Sequence, residues 1–403
     1  MKYVVILGDG MADTPVPALN GLTPLDAARH PAMDRLACDG EYGMARTIPE
    51  GMKPGSDTAN LAVFGYDPRV YYTGRSPLEA VSLGIPLRDD DVTYRCNFVT
   101  VSDPLSIERG TMIDYSAGEL STGEARELVT FLNEALSDET ARLHPGFSYR
   151  QCMVLAHGTT GAQLSQPHDL SGKPLLGQLP GGENAALLRR WMERAGQLLF
   201  HHPVNQKRMA AGQNPANMIW FWGEGTRPAL TDFKQKTGLS GAVVSAVDLL
   251  QGIGCCAGMR VLKVPGATGT FETNFSGKAQ AAMDALHDGC DFVYVHIEAP
   301  DECGHRGQVR EKVYSIEQID RQVLGPILSA LDESGEDYAV LLMPDHPTPL
   351  EKLTHTADPV PFALYRKGCH AGRNVRYCER DAAGTGLFVD EGWTLLERML
   401  HGA

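Results

Sequence analysis

Residues 292–305 read FVYVHIEAPDECGH, in which an apolar run of β-branched and aromatic residues leads to Asp301 and His305. Two other runs have the same construction, YVVILGD at residues 3–9 and YAVLLMPDH at residues 338–346. Short apolar runs that end in polar or glycine-rich turns are typical of buried strands. Because α/β sheets collect their ligands beyond the carboxyl ends of the strands, the polar residues that follow these runs are predicted to lie together.

Further polar residues belong to this set. Asp9 ends the first run, Asp345 and His346 end the last, and His355 lies in the loop that follows. Ser56 stands in KPGSDTANLAVFG, where it opens a predicted helix. Taken singly, each has an ordinary explanation: an Asp after a strand is usually a turn or cap residue, and Ser56 could be only a helix N-cap. Taken together, three Asp, three His and one Ser are the inventory of two transition-metal sites.

Strand-like and helix-like segments alternate along much of the chain. The predicted strands are residues 3–7, 218–222, 259–264, 292–297 and 338–343. The predicted helices are residues 24–39, 124–134, 183–200, 275–287 and 309–331. This alternation predicts an α/β protein with a parallel sheet that is covered on both faces.

The middle of the chain differs from its two ends. Residues 88–235 mix strand-like pieces with glycine- and proline-rich loops, whereas the best metal-site candidates fall before residue 60 and after residue 300. A site divided between the two ends of a chain implies one domain interrupted by another. We therefore predict a metal-binding core from residues 1–87 and 236–403, with an inserted cap domain at residues 88–235.

Composition limits the partners of the protein. The chain has 403 residues and a net charge of −14, which disfavours nucleic acid and anionic membranes because both require a basic face. The first residues, MKYVVILGDG, hold too short an apolar run for a secretory signal, and we expect no membrane helix. The nine cysteines lack framework spacing, which is typical of reduced thiols. The sequence thus predicts a cytoplasmic protein that binds neither nucleic acid nor a membrane.

The residue types suit phosphoryl transfer. That reaction needs charge neutralisation on the phosphoryl oxygens and an activated nucleophile, and two divalent ions can supply both. A serine hydroxyl has too high a pKa to attack at neutral pH, so coordination to a cation is a plausible activator. A helix N-terminus beneath Ser56 would favour a phosphoseryl group. The sequence contains no P-loop, no dinucleotide-binding glycine motif and no Gly-x-Ser-x-Gly elbow.

Several long motifs carry a resemblance to a known family. They are VVILGDGMAD, PGSDTANLAVFGYDP, YYTGRSPLEA, AVDLLQGIG, VPGATGTFETNF, HIEAPDECGH, MPDH and THTADPVPF. On these motifs the chain resembles the cofactor-independent phosphoglycerate mutases of the archaeal type, within the alkaline phosphatase superfamily, over essentially its whole length. The resemblance implies an alkaline-phosphatase-like, doubly wound, mostly parallel sheet core with an inserted smaller α/β cap domain.

The resemblance also implies a catalytic centre. It makes Ser56 the nucleophile that forms a phosphoserine, and it implies two divalent metal ions, with Mn²⁺ favoured and Zn²⁺, Co²⁺ or Mg²⁺ as alternatives. The residues implied to hold one ion are Asp9, Ser56, Asp345 and His346. The residues implied to hold the other are Asp301, His305 and His355.

The cap of this family closes over the substrate and supplies basic residues. The substrate-binding candidates in this chain are Arg75, Arg95, Asn97, His157, His168, Asp169, Lys173, Asn205, Arg208 and Lys263. For any single Arg or Lys, a solvated surface position is a serious rival interpretation. His168, Asp169 and Lys173 stand out because they lie in a long glycine- and proline-bounded loop, where polar residues are more often functional.

The implied function is the interconversion of 3-phosphoglycerate and 2-phosphoglycerate through a phosphoserine, independent of 2,3-bisphosphoglycerate, in glycolysis and gluconeogenesis. The implied partner is a small phosphorylated carboxylic acid. Bacterial members of the group are also labelled as proposed homoserine kinases, so the alternative is a related metal-dependent phosphotransferase or phosphatase. A non-catalytic metal- or phosphate-binding protein is a further alternative, but such a protein would be expected to have lost Ser56 or a ligand.

Overall fold

A computed structural model describes residues 1–402 of the chain. Its strands are β1 Lys2–Gly8, β2 Glu41–Ala45, β3 Val92–Val101, β4 Met112–Asp114, β5 Ala141–Phe147, β6 Arg150–Leu155, β7 Ala162–Gln163, β8 Gly181–Gly182, β9 Met218–Thr226, β10 Gly241–Val244, β11 Arg260–Leu262, β12 Phe292–Ile297, β13 Tyr338–Met343, β14 Val360–Arg366 and β15 Phe388–Val389. Its α-helices are α1 Pro24–Ala27, α2 Pro31–Asp39, α3 Ser56–Val63, α4 Pro68–Tyr71, α5 Ser76–Ser82, α6 Thr122–Leu136, α7 Ala185–Phe200, α8 Pro203–Ala210, α9 Phe233–Thr237, α10 Asp248–Cys256, α11 Phe275–His287, α12 Ala299–His305, α13 Val309–Gln318, α14 Gly325–Ser334, α15 Glu379–Gly384 and α16 Leu395–His401. Among these described residues, no helix is long and apolar enough to cross a membrane.

The chain divides into two compact units. The first consists of residues 1–72 and 229–403, and the second of residues 73–228. The first unit contains an eight-stranded sheet in the order β11-β10-β12-β1-β13-β14-β2-β15. Its central strands run parallel, whereas β14 is antiparallel to both of its neighbours. The predicted α/β class and mostly parallel sheet are confirmed.

Helices cover both faces of this sheet because successive side chains of a buried strand point to opposite faces. On one face, Val293 and Val295 of β12 pack in the main core with residues of α2, α11 and α14. On the other face, the ring of Tyr294 stacks on Phe64, which follows α3, with ring centres 4.0 Å apart. The continuous apolar run in the sequence therefore reflects burial on both sides, as the doubly wound prediction requires.

The second unit is built on antiparallel pairing. Its β3 lies between β6 and β9, β4 pairs with the last residues of β3, and β5 pairs with β6. Helices α6 and α7 pack against this sheet in a separate hydrophobic core. α6 begins with a capping box, in which Ser121 and Glu124 exchange hydrogen bonds with each other's backbone amides.

The bounds of the units differ from the sequence-based boundaries. Residues 73–87, which we predicted with the core, belong to the second unit, and residues 229–235, predicted with the cap, belong to the first. The cause lies in α5, because Glu79 on this helix forms an ion pair with Arg95 on β3 at 2.9 Å. The hydroxyl of Thr73 also donates to the carbonyl of Thr226 at the end of β9.

Three element predictions also need correction. The predicted strand at residues 218–222 is β9, which belongs to the antiparallel sheet of the second unit rather than to the parallel sheet. The predicted helix at residues 24–39 is interrupted, because Pro31 lacks an amide hydrogen and begins a new helix, α2. The predicted helix at residues 309–331 passes through a π-helical segment, Ile319–Leu324, just before Pro326.

A buried ion pair links the first unit's helical layer to its loops. The ammonium of Lys312 on α13 lies 2.7 Å from Asp13, and both side chains have 0% exposure. Lys312 also donates to the carbonyl of Thr348, and the Asp13 carboxylate accepts from the amide of Leu350. Burial lowers the pKa of Lys312, whereas Asp13 opposes that shift. The pair therefore ties the loop after β13 to the loop after β1.

Replacing Lys312 by Met should lower the free energy of unfolding by about 3–5 kcal/mol, because Asp13 would remain as an uncompensated buried charge. Urea unfolding followed by circular dichroism measures this change. The matched control is Arg35→Met, which removes a partner of Asp332 from a pair exposed by 42% and 40% and should cost less than about 1 kcal/mol. Equal losses of unfolding free energy in the two variants would contradict the larger contribution expected of the buried pair.

Candidate metal centre

The parallel pairing of β1 with β12 and β13 brings three acids to one edge of the sheet. Asp9 follows β1, Asp301 lies in α12 directly after β12, and Asp345 lies two residues beyond β13. All three are buried. Gly10 makes the close approach possible: it has a φ of +61°, and a Cβ there would lie 2.8 Å from the Cα of Asp301.

Asp9, Asp345 and His346 form the first group of possible metal ligands. Their ligand atoms all lie within 4.8 Å of one another, and all three residues are buried. The Nε2 atom of His346 is 3.2 Å from Asp345 Oδ2 and 3.6 Å from Asp9 Oδ1. Ser56 is the first residue of α3, as expected, and its Oγ lies 3.1 Å from the same Nε2 atom. The four residues predicted for one ion are thus neighbours.

Asp301 is the centre of a second group. His305 Nε2 lies 3.3 Å from Asp301 Oδ2, and His355 Nε2 lies 3.3 Å from Asp301 Oδ1. The two imidazole Nε2 atoms are 2.8 Å apart. His346 also lies close enough to group with Asp301 and His355, so it adjoins both groups. The seven residues predicted as ligands or nucleophile therefore occupy one continuous cluster.

The acids of the cluster repel one another. Burial raises the pKa of Asp9 well above its usual range, and the charges of Asp345 and Asp301 raise it further. At Asp301 burial acts in the same direction, but hydrogen bonds from His305 and His355 outweigh it and hold the pKa well below its usual range. Burial lowers the pKa of His305, yet Asp301 outweighs burial and raises that pKa to about 9.

The residues present fit divalent cations. Carboxylate oxygens, imidazole nitrogens and a hydroxyl form a mixed donor set that suits transition metals. In the described part of the chain, Asp9 Oδ1 is buried and accepts no hydrogen bond. Buried polar atoms are normally satisfied, and an orphaned carboxylate oxygen beside two further donors has the position of a metal ligand. Positive ions here would also offset the repulsion among the acids.

Asn60 is a functional candidate that the sequence-based prediction missed. Its side-chain amide donates to the carbonyl of Ser56 at 2.9 Å and to Asp345 Oδ2 at 2.8 Å. Its Oδ1 atom accepts a hydrogen bond from Tyr294 at 2.6 Å. The sequence did contain a signal for Asn60, because it stands four residues after Ser56 and residues four apart on a helix share one face. Asn60 thus connects the proposed nucleophile to a proposed ligand.

Two other missed residues, one in a loop and one in a strand, hold the ligands in place. Thr348 donates to Asp301 Oδ1 and lies 3.3 Å from His346 Nδ1, so it contacts both ligand groups. His296, the fifth residue of β12, lies with its Nε2 atom 2.9 Å from Asp9 Oδ2. A histidine inside an apolar strand was a visible signal, but the pattern does not say which acid it contacts.

Several predicted substrate-binding residues cluster within the second unit around Trp222. The Arg95 guanidinium lies 4.0 Å from the centre of the Trp222 ring, and Trp222 Nε1 donates to Asn97 at 3.0 Å. The His168 ring is 5.6 Å from the Trp222 ring. Arg95 pairs with Glu79, which also accepts from Arg75 at 2.9 Å. Burial lowers the pKa of Arg95 to about 10, against the opposing charge of Glu79.

Asn205 and Arg208, two further predicted substrate-binding residues, are buried within the second unit. The amide of Asn205 donates to the carbonyls of Leu199 and Ala216, and its oxygen accepts from the amide of Ala216. Arg208 donates to the carbonyls of Asn214 and Ala117 and pairs with Glu124. Both side chains are thus buried and make their hydrogen bonds within the second unit, as buried polar groups normally do.

The remaining candidates lie at the surface of their own units. His157 is 66% exposed and pairs with Asp90. Asp169 and Lys173 are exposed residues of the second unit, near the segment Pro167–Leu170. Lys263 is exposed and directly follows β11, at the same edge of the first unit's sheet as the ligand groups.

The mostly parallel sheet and the buried Asp-His cluster at its carboxyl edge define the class of a metal-dependent α/β enzyme. The model of the family described as 2,3-bisphosphoglycerate-independent phosphoglycerate mutase matches residues 37–205. The chain is 50% identical over 402 residues to the 2,3-bisphosphoglycerate-independent phosphoglycerate mutase of Methanothrix thermoacetophila, covering 100% of both chains. A probable enzyme of the same name from Geobacter sulfurreducens is 48% identical, with 99% of this chain and 100% of that one covered.

Solved structures agree with these relatives. The PH0037 protein of Pyrococcus horikoshii is similar with a TM-score of 0.82 and 31% identity, covering 99% of this chain and 96% of that one. The cofactor-independent phosphoglycerate mutase of Thermoplasma acidophilum gives a TM-score of 0.67 and 28% identity, covering 99% of this chain and 100% of that one. The chain belongs to the 2,3-bisphosphoglycerate-independent phosphoglycerate mutase family, which confirms the resemblance seen in its motifs.

Divalent ions should stabilise the protein, because they would bind the native cluster and offset the repulsion among Asp9, Asp301 and Asp345. Chain stripped with a chelator should gain about 2.7 kcal/mol of stability when Mn²⁺ is added at one hundred times its Kd. Thermal unfolding with and without the ion measures the gain. Asp345→Asn should reduce it, whereas Asp332→Asn on the exposed pair should not. An unchanged midpoint for the parent chain would contradict the metal assignment.

Proposed function

We propose that this chain interconverts 3-phosphoglycerate and 2-phosphoglycerate through a phosphoserine at Ser56. Family membership supports this function, since the relatives that match along the whole chain are named as phosphoglycerate mutases. The observation that carries the proposal is the position of Ser56, whose Oγ lies 3.1 Å from His346 in the middle of the buried donor set. A serine that served only to cap a helix would not need these neighbours.

The proposed ligands of the two ions are the seven residues of the cluster, with Asp9, Ser56, Asp345 and His346 on one ion and Asp301, His305 and His355 on the other. When bound, the ions would neutralise the phosphoryl oxygens and lower the pKa of the serine hydroxyl. We propose Mn²⁺ as the ion, because mixed carboxylate and imidazole ligation suits it. Zn²⁺, Co²⁺ and Mg²⁺ remain alternatives.

The reaction then consists of two exchanges at phosphorus. In the first, the Ser56 hydroxyl loses its proton, its Oγ–P bond forms, and the bond from phosphorus to the 3-oxygen of glycerate breaks. The released 3-oxygen takes up a proton. In the second, the 2-oxygen of glycerate loses its proton and bonds to phosphorus as the Oγ–P bond breaks, and Ser56 Oγ takes up a proton to restore the hydroxyl. Glycerate must stay bound and water must stay out between the exchanges, since hydrolysis would end the cycle.

Within the second unit, we propose that Arg75, Arg95, Asn97 and His168 bind the glycerate part of the substrate. Arg95 supports this role because its guanidinium is held against Glu79 and the Trp222 ring. A guanidinium fixed in this way can bind a carboxylate at a small entropic cost. Lys263 in the first unit, and His157, Asp169 and Lys173 in the second, remain exposed candidates for the same role.

Ser56→Ala should abolish mutase turnover, with a fall in kcat of at least about 10⁴-fold, because the variant lacks the oxygen that is proposed to accept the phosphoryl group. Enolase-coupled conversion of 3-phosphoglycerate, without 2,3-bisphosphoglycerate or ATP, measures turnover. Acid quenching of the parent enzyme in turnover, followed by peptide mass spectrometry, should place one phosphoryl group on Ser56. The control is Ser276→Ala, which removes an exposed serine from the first turn of α11 and should leave kcat unchanged. Near-normal turnover by Ser56→Ala would contradict the proposed mechanism through a phosphoserine at Ser56.

A related phosphotransferase that acts on homoserine is the second candidate. The metal cluster does not separate the two activities, because it contacts only the phosphoryl group in either case. We expect mutase activity without ATP and no phosphorylation of homoserine with ATP, both measured on the same preparation. ATP-dependent phosphorylation of homoserine, with no conversion of 3-phosphoglycerate, would favour the kinase and overturn the mutase.

A further inference from the structure

His296 lies in β12, which pairs with β10 on one side and β1 on the other. Its side chain contacts one side chain from the segment after each of these two neighbours. Val295 of β12 is paired in register with Val244 of β10, so the next residues, His296 and Ser245, are adjacent. Ser245 Oγ lies 3.1 Å from His296 Nδ1. On the other side, His296 Nε2 lies 2.9 Å from Asp9 Oδ2. The three side chains form a continuous chain of hydrogen bonds.

The direction of these hydrogen bonds follows from the groups involved. A carboxylate that binds a metal is ionised and only accepts, so in the metal-binding state His296 Nε2 carries the proton and donates to Asp9. Ser245 Oγ already accepts from the amide of Val247 at 3.0 Å, which leaves its own proton free for Nδ1. Ser245 therefore donates to Nδ1 and selects the neutral tautomer with hydrogen on Nε2.

The position of His296 is fixed from the backbone as well. The buried ammonium of Lys278 on α11 donates to the carbonyl of His296 at 3.0 Å. Both His296 and Lys278 have 0% exposure. A side chain held at its backbone, at Nδ1 and at Nε2 has little freedom to turn. Its contact with Asp9 is therefore directional rather than incidental.

The fixed position of His296 determines the orientation of the Asp9 carboxylate. Its Oδ2 atom is occupied by His296, whereas its Oδ1 atom is buried and accepts no hydrogen bond from any described residue. His346 Nε2 lies 3.6 Å from that free oxygen, on the side of the ligand group. The hydrogen bond to Oδ2 thus sets the rotation of the carboxylate and directs Oδ1 toward the metal position.

We propose that His296, oriented by Ser245, is a positioning residue that fixes Asp9 for metal binding. The inference rests on the proposed metal centre, and its role is distinct from that of a ligand because His296 uses both ring nitrogens for protein contacts. Partners of this kind orient a ligand and strengthen its binding without touching the metal. Neutral imidazole suits the task, since it holds the carboxylate without competing for its charge.

The test measures metal binding directly, by titrating chelator-treated chain with Mn²⁺ and following free Mn²⁺ by electron paramagnetic resonance. The parent should show two classes of site. His296→Ala should weaken one class by about 10–100-fold and leave the other unchanged, because Asp301, His305 and His355 do not depend on His296. His296→Gln keeps a neutral amide donor and should recover part of the loss. Ser245→Ala should weaken the same class and add nothing when combined with His296→Ala.

Matched controls separate positioning from general damage. His30→Ala removes another buried histidine of the first unit, which contacts Leu25 and Asp34, and should leave both classes of Mn²⁺ site unchanged. His355→Ala should weaken the class that His296→Ala spares. Equal weakening of both classes by His296→Ala, parental affinity in that variant, or no saturable binding by the parent would each overturn the inference. A chain that binds Mn²⁺ as expected but lacks mutase turnover would overturn only the proposed function.

Discussion

Like-charge repulsion among Asp9, Asp301 and Asp345 is the constraint on which the arrangement of the first unit depends. Parallel pairing of β1 with β12 and β13 brings these acids to one edge of the sheet, and burial removes the water that would screen them. Among the described residues, no fully buried Lys or Arg contacts any of these three acids. The buried Lys312 is paired with Asp13 instead. The repulsion is therefore left for bound ions to offset.

Apart from the histidines that stabilise the charge of Asp301, the contacts that the acids make hold them in orientation and add little positive charge. Asn60 donates to Asp345, His296 to Asp9 and Thr348 to Asp301, and each of these donors comes from a different element. A neutral donor fixes the direction of a carboxylate but contributes little positive charge. The protein thereby pre-forms the geometry of the centre and reserves the electrostatic stabilisation for divalent ions, which is the division of roles expected of a metal-dependent enzyme.

Residue patterns predicted the fold class and the ligand set's location because both follow from one rule. Buried parallel strands read as apolar runs, and the residues just beyond their ends converge. The same apolar runs do not show which strands pair with each other, which is why residues 218–222 were assigned to the wrong sheet. β2, β10 and β14 were missed because Glu41–Ala45 and Gly241–Val244 are short and Val360–Arg366 contains a proline.

The supporting residues were harder to predict, since their roles depend on tertiary contacts. Asn60 and His296 look in the sequence like a polar helix residue and an isolated strand histidine, and only the tertiary structure gives each a carboxylate to contact. Arg208 shows the same dependence on tertiary contacts. Its charge and its place in the predicted cap suggested substrate binding, but carbonyl groups of the second unit occupy its guanidinium.

The two candidate substrates, a phosphoglycerate and homoserine, differ in charge. The residues of the second unit that are proposed to bind substrate form a charged cluster, which bears on the choice between them. Arg75, Arg95 and Arg150 all act on the buried carboxylate of Glu79 and together hold its pKa below the usual value, although burial opposes them. Three guanidinium groups against one carboxylate leave net positive charge around Arg95. Homoserine carries an ammonium beside its carboxylate, so such surroundings favour it far less than a phosphoglycerate, in which every ionised group is negative. The electrostatics of this cluster therefore favour a polyanion over homoserine.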